Sequence, residues 1–274
     1  MADPVMPQAI VDWMRARTWG DHHVQWHVTR IWDLIPADAR QWAISQGWSR
    51  YPIQEGEAGN GIQFLAMHRV MIRQLIAAFP THAALFAGWP TPPTNPADPD
   101  QPLPGSSTAV ITAPMLAAID TIHNGLAVHP ADDGVGRYIE TRLRPVPGNP
   151  GASSPDPSAG IHNYLHNRWS NDADPVNMGD PAVNIENRIF WRLHGWIDAR
   201  WTAYRASMGF GEAQASYAAA LAEAEAHMGG GHHHDEGLEF AESAGEQVHP
   251  PAPIAVPTEI KGMILEALRR RASP

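Results

Sequence analysis

Ile161-His162-Asn163-Tyr164-Leu165-His166 carries two histidines four residues apart, and His23-Val24-Gln25-Trp26-His27 repeats that spacing near the start of the chain. On a helix, side chains four apart share a face with Cβ atoms roughly 6 Å apart, so both imidazoles of a pair can reach one ion. No segment alternates apolar and polar residues convincingly enough to read as a strand, and the pairs fall in stretches with helical periodicity. Fifteen histidines in 274 residues give about one such pair by chance, so the neighbours of each pair have to decide its meaning.

Working outward, residues 8 to 33 are rich in Trp, Ile and Val, and Gly20-Asp21 reads as a turn and N-cap between two helices, the second over about 22 to 34. Pro36-Ala37-Asp38 opens a short helix that ends near Gly47. Gly61 to Phe79, apolar at 62, 65, 72, 75 and 76, is a helix closed by Pro80. Further helices are expected over about 113 to 124, at 161 to 166, and over Asn184 to Met208, the longest pattern, with Gly209 as its cap. Residues 211 to 228 are Ala- and Glu-rich helix formers, and a last amphipathic helix covers about 257 to 271. The Pro-rich stretch from Trp89 to Gly105 and the Pro/Gly/Ser stretch from 145 to 160 read as irregular surface loops. The fold class is therefore mainly α with long Pro/Gly-rich loops.

Nineteen Lys and Arg against 29 Asp and Glu leave a net charge of -10, and the sole basic cluster is Arg269-Arg270-Arg271, which argues against a nucleic-acid partner. No apolar run has the length of a membrane helix, and Met1-Ala2-Asp3-Pro4 lacks the basic start and apolar core of a signal peptide, so the expectation is a cytoplasmic protein with no membrane partner. With no cysteine in the sequence, a bound metal must be held by nitrogen or oxygen. Histidine is the commonest such ligand.

The neighbours of the histidines carry a resemblance. Asp21-His22-His23-Val24-Gln25-Trp26-His27 resembles the copper A motif of arthropod hemocyanins, and Gln63-Phe64-Leu65-Ala66-Met67-His68-Arg69 resembles the helix that carries the third copper A ligand in tyrosinases and hemocyanins. His162-Asn163 with His166 is similar to the copper B pair of the same superfamily. Phe190-Trp191-Arg192-Leu193-His194-Gly195-Trp196-Ile197-Asp198-Ala199-Arg200-Trp201 keeps its Phe-x-x-x-His-x-x-x-Asp-x-x-Trp frame, and Gly179-Asp180-Pro181 is similar to its Asp-Pro. The resemblance covers roughly residues 21 to 80 and 160 to 203. It is to the type 3 dicopper proteins: tyrosinases, catechol oxidases and hemocyanins.

That resemblance implies an antiparallel four-helix bundle core holding a dinuclear site, within a domain over 1–228 that is followed by a His/Pro-rich extension over 229–274. It implies two copper ions, one on His23, His27 and His68 and one on His162, His166 and His194, with O2 as co-substrate. Asn163 is the candidate catalytic residue, able to hold a water that accepts a phenolic proton. Asp198, four residues after His194, is placed to orient an imidazole or to pair with an arginine. Phe64, Phe190 and Trp191 read as packing around the metals, and His22 as a bystander. Hydroxylating relatives have a glutamate upstream where this chain has Gly151-Ala152-Ser153-Ser154, which favours oxidation over hydroxylation.

The expected substrate is a small phenol, catechol or aminophenol, with a copper-delivery protein as a possible partner. The alternatives are a hemocyanin-like O2 or copper binder without turnover, and a helical protein whose metal site is altered. Metal occupancy is expected to fall as pH drops through the ordinary imidazole range, roughly 6 to 7. His232-His233-His234 reads as a flexible metal-catching or solvated segment, and His82, His123, His129, His227 and His249 have no ligand context.

Overall fold

The computed structural model describes residues 5–94, 100, 111–145, 153–156, 158–171, 173–229 and 254–272. Among these the chain is mainly helical. Its helices are α1 (Gln8–Arg15), α2 (Trp19–Arg30), α3 (Ala37–Ser45), α4 (Asn60–Ala78), α5 (Ala113–Asn124), α6 (Asp132–Glu140), α7 (Ile161–Arg168), α8 (Arg188–Ser207), α9 (Ala215–Gly229) and α10 (Thr258–Ala272). None of the described helices is long and apolar enough to cross a membrane.

The centre of the molecule is α4, which is buried around most of its circumference, from Ile62, Phe64 and Leu65 to Met71, Ile72 and Leu75. A helix apolar on all sides has to be enclosed by others, and α6, α8 and α9 pack around it. Against α6 the two backbones touch: a Cβ on Gly136 would lie 1.9 Å from the carbonyl oxygen of Gly61, so this crossing tolerates only glycine at both positions. The tryptophans fill the same core, with Trp19, Trp191, Trp196 and Trp201 fully buried.

Two buried ionic networks fix α4 and α6 relative to α8 and α9. The Arg69 Nε donates to Asp198 at 2.5 Å, its other nitrogens reach Thr202 (2.7 Å) and the Tyr217 hydroxyl (3.1 Å), and its guanidinium lies 3.9 Å over the Trp201 ring. Asp132 accepts from Arg205 and, at 2.6 Å, from the Trp201 indole N–H. Charges this deep persist only when paired and hydrogen-bonded. Of the two roles open to Asp198, the ion pair with arginine is the one observed.

A second apolar cluster joins α2 and α3 to α10 through Val24, Val28, Ile31, Ala39, Ala43, Trp48, Ile264 and Ala267. The last helix thus packs against α3 and α7 rather than extending away from them.

Several boundaries differ from the sequence reading. The break expected at Gly20-Asp21 falls three residues earlier, where Thr18 adopts a left-handed φ of 52°, and α2 runs through Gly20. Asn184 to Met208 divides into a 3-10 turn at Asn184–Glu186 and then α8, whose N-cap Asn187 accepts from the Ile189 N–H at 2.9 Å. Gly209, at φ 69°, closes α8 as its position suggested. Helix α6 had no counterpart in the sequence reading, because its two glycines and its β-branched residues are poor helix formers. Nor did the short antiparallel pair β1 (Leu143–Pro145) and β2 (Ser153–Pro155); β1 borders the stretch read as a loop over 145 to 160, and β2 lies within it. Three residues are too few for alternation to register.

Candidate metal centre

Four helices bring the six histidines together: α2 carries His23 and His27, α4 His68, α7 His162 and His166, and α8 His194. All six are buried, none more than 9% exposed. Ligating nitrogens of His23, His27 and His68 lie within 4.8 Å of one another, as do those of His68, His162 and His194. The two groups adjoin, since the His68 and His194 rings stack at 3.8 Å. His166 joins the second group through its Nε2, 3.2 Å from the His194 Nε2, and the Nε2 atoms of His23 and His27 approach equally closely. Helical spacing accounts for the pairs on α2 and α7. It is the packing of α4 and α8 that closes the cluster.

The polar surroundings of the rings orient them. The Nδ1–H of His23 donates to the Pro181 carbonyl (2.8 Å), that of His166 to the Met178 carbonyl (2.8 Å), and that of His68 to the Phe64 carbonyl one helical turn back (2.9 Å). The His162 Nδ1–H donates to the Asn163 Oδ1 at 3.1 Å. A carbonyl oxygen can only accept, so each of these rings carries its proton on Nδ1 and presents a bare Nε2 lone pair. For His68 and His162 that Nε2 is buried with no hydrogen-bond partner. Leaving a buried acceptor unsatisfied costs about 1–3 kcal/mol, and at each close Nε2 pair a proton or a cation must separate the two lone pairs. A nitrogen-ligated metal satisfies all these atoms at once, and outward-donating Nδ1–H groups are the usual support of metal-bound histidine.

Burial also sets the protonation state. It drives His23 down to about 3, with the Pro181 hydrogen bond pushing weakly the other way, and His166 down to about 4. His68, His162 and His194 are lowered well below the ordinary value, first by burial and then by neighbouring imidazoles. At neutral pH these five rings are neutral, which is the form that ligates. These rings therefore take up protons only below the ordinary imidazole range.

Aromatic rings wall the cluster: Phe64 lies 4.7 Å from His162 and 4.9 Å from His68, Phe190 4.1 Å from His194, and Trp26 4.9 Å from His27. Trp191 sits one layer further out against Phe190 and Phe86. A cavity of about 30 Å³ reaches the histidines. It is lined by His27, His162 and His166, by the amides of Asn163, Asn167 and Asn184, and by Leu268 of α10. That volume accommodates one water-sized molecule. The Asn163 Nδ2 is a buried donor without a partner.

The remaining described histidines stay outside the cluster. His22 and His227 pack against each other at 5.5 Å, His123 meets Trp196 and Arg200, and His82 lies beside Phe79 at the surface. His129 packs on Tyr138, while His232, His233, His234 and His249 lie outside the described residues. Sequence reading did not find the carbonyls of Met178 and Pro181, nor Leu268, because neither a backbone carbonyl in a turn nor the docking of a terminal helix leaves a residue-type signature. The Phe64 carbonyl was findable, since any helical His can donate to the carbonyl four residues back.

Comparison with protein families finds no match for this chain, and comparison with curated proteins finds none either.

Proposed function

We propose that this protein is a type 3 dicopper oxidoreductase that uses O2 to oxidise a small phenol, catechol or aminophenol. The observation that carries the reading is the convergence, from four helices, of six buried imidazoles, four of them with Nδ1 tied outward so that Nε2 faces the others. An all-imidazole donor set suits copper, which stands at the top of the divalent affinity series. The motif resemblance makes copper the choice over zinc. On this reading α2, α4, α7 and α8 form the bundle, with His23, His27 and His68 holding one ion and His162, His166 and His194 the other.

Copper bound there would supply O2 binding and electron transfer. In the overall reaction two catechols each give up two electrons and two protons, and one O2 takes four of each to become two waters. The chain's own part is binding, orientation and exclusion of water. Phe64, Phe190 and Trp26 keep the ligands dry, which strengthens the electrostatics of the site. Asn163 fixes the His162 tautomer through Oδ1 and keeps its Nδ2–H for a water or for the oxygen of an entering phenol.

The size of the cavity favours a second reading. About 30 Å³ takes O2 but not an aromatic ring, as in a protein that binds O2 or copper without turnover. Copper-loaded protein, reduced and then exposed to O2 with catechols and o-aminophenols, separates the two. Product that depends on copper and on His166 supports the oxidase. Reversible O2 uptake without product supports the binder, and failure to take up copper removes both.

A further inference from the structure

We propose that the turn from Met178 to Pro181 is a single anchor shared by both metal subsites, with Asp180 as the positioning residue that couples them to each other and to the docking of α10. The inference rests on the dinuclear reading of the six histidines. One ligand from each subsite is tied to this turn: His23 to the Pro181 carbonyl and His166 to the Met178 carbonyl, each at 2.8 Å. The other anchored rings do not use it, since His68 donates to Phe64 on its own helix and His162 to its neighbour Asn163.

The turn is built to move as one piece. Asp180 Oδ1 accepts from the Ala182 N–H at 3.0 Å, its carbonyl accepts from the N–H of Val183 (3.1 Å) and of Asn184 (2.8 Å), and its own N–H donates to the Asn177 carbonyl at 3.0 Å. The Asn184 Nδ2 reaches the same Met178 carbonyl that holds His166, at 3.3 Å. On the other side the turn rests directly on α2: a Cβ on Gly20 would lie 2.3 Å from the Ala182 carbonyl oxygen. A displacement of this unit therefore shifts both carbonyls and turns both imidazoles together.

The remaining carboxylate oxygen of Asp180, itself only 3% exposed, pairs with Lys261 of α10. The same C-terminal segment donates the Ile254 N–H to Asp21, two residues before His23, at 3.1 Å. Docking of α10 thus supplies the counter-ion that completes the turn, and the turn sets one ligand on each ion. Coupling of this kind is reciprocal, so loading the metals must also strengthen the docking of α10.

Three variants test this: Asp180→Asn, Lys261→Met, and Lys261→Arg as the conservative rescue. Copper retained per chain is read against a series of chelator concentrations, and amide hydrogen exchange in α10 is read with and without metal. Loss of an outer partner of a metal-bound histidine typically weakens the metal by about 10–100-fold. Asp180→Asn should weaken both ions together by that order, Lys261→Met should weaken both by less, and Lys261→Arg should restore them. Copper should also slow exchange in α10 of the unmodified protein. Loss confined to one ion, or no loss, overturns the proposal.

Lys261 is partly exposed, so its variants are expected to fold even where Asp180→Asn does not. If the unmodified chain fails to hold a pair of metals, the dinuclear reading fails while the anchor remains testable in the metal-free protein. There the nitrogen-15 signals of His23 and His166 should move together in Lys261→Met while that of His68 stays. Independent movement of the two refutes the shared anchor.

Discussion

Acid should unfold the metal-free protein well before it protonates its surface carboxylates, because the folded state buries histidines in their neutral form. Burial lowers His23 from an ordinary 6.5 to about 3 and His166 to about 4. Between those values and 6.5 the unfolded chain takes up protons that the folded chain refuses, so falling pH favours unfolding. The stability is complete above about pH 6.5 and is lost on the way down towards pH 3–4. Each such histidine contributes a slope of about 1.4 kcal/mol per pH unit. The pair together removes on the order of 4 kcal/mol between pH 6.5 and 5, against a typical total of about 5–15 kcal/mol. His68, His162 and His194 act in the same direction, while the buried Glu140, pushed up to about 8 by burial, opposes them with about the slope of one histidine, so the net loss on acidification rests on the histidines outnumbering it. The assay is urea unfolding of chelator-treated protein followed by far-ultraviolet circular dichroism at several pH values. The midpoint should drop steeply below about pH 6.5, and metal-loaded protein should resist to lower pH because a ligand of the folded state stabilises it. A midpoint that stays flat from about pH 7 to 5, or histidine resonances that titrate near the ordinary value, would refute the buried neutral cluster.

Replacing Asp132 with Ala leaves Arg205 buried without its carboxylate and should cost about 3–5 kcal/mol in thermal or urea unfolding, without changing which metals bind. Asn163→Leu removes the acceptor that fixes the His162 tautomer and should weaken copper by about 10–100-fold in a chelator competition; unchanged affinity would separate Asn163 from the metal. Leu268→Gly removes the α10 side chain that lines the cavity and should raise turnover of ring-sized substrates more than it raises O2 uptake, as followed by product absorbance and an oxygen electrode. Equal effects on both would place the entry route elsewhere.

What the sequence made legible follows from the range of each signal. Helices α4 and α8 announce themselves through periodicity sustained over many residues, and their ends follow from Pro80 and Gly209. The pairs His23/His27 and His162/His166 were legible because four-residue spacing has one meaning on a helix. That His68 and His194 belong to the same site was expected only from the motif resemblance, and that their rings stack across α4 and α8 was not expected, since contact between helices is not a local property. Helix α6 was hidden because its glycines serve the close crossing with Gly61 rather than helix propensity. Gly20 misled in the same way: its missing Cβ makes room for the Ala182 carbonyl, not for a turn. The docking of α10 and the carbonyls of Met178 and Pro181 depend on tertiary placement, which an amphipathic pattern or a turn-rich stretch does not specify.

The most direct test of the central claim is a count of copper. Purified chain is titrated with copper, freed of loosely held metal by a weak chelator, and analysed by mass spectrometry of the element, alongside His166→Ala and His68→Ala. About two coppers per chain are expected, falling to about one in His166→Ala, with both ions disturbed in His68→Ala because that ring touches each group. A stoichiometry of one or none in the unmodified chain, or a count indifferent to His166, would contradict the dinuclear centre.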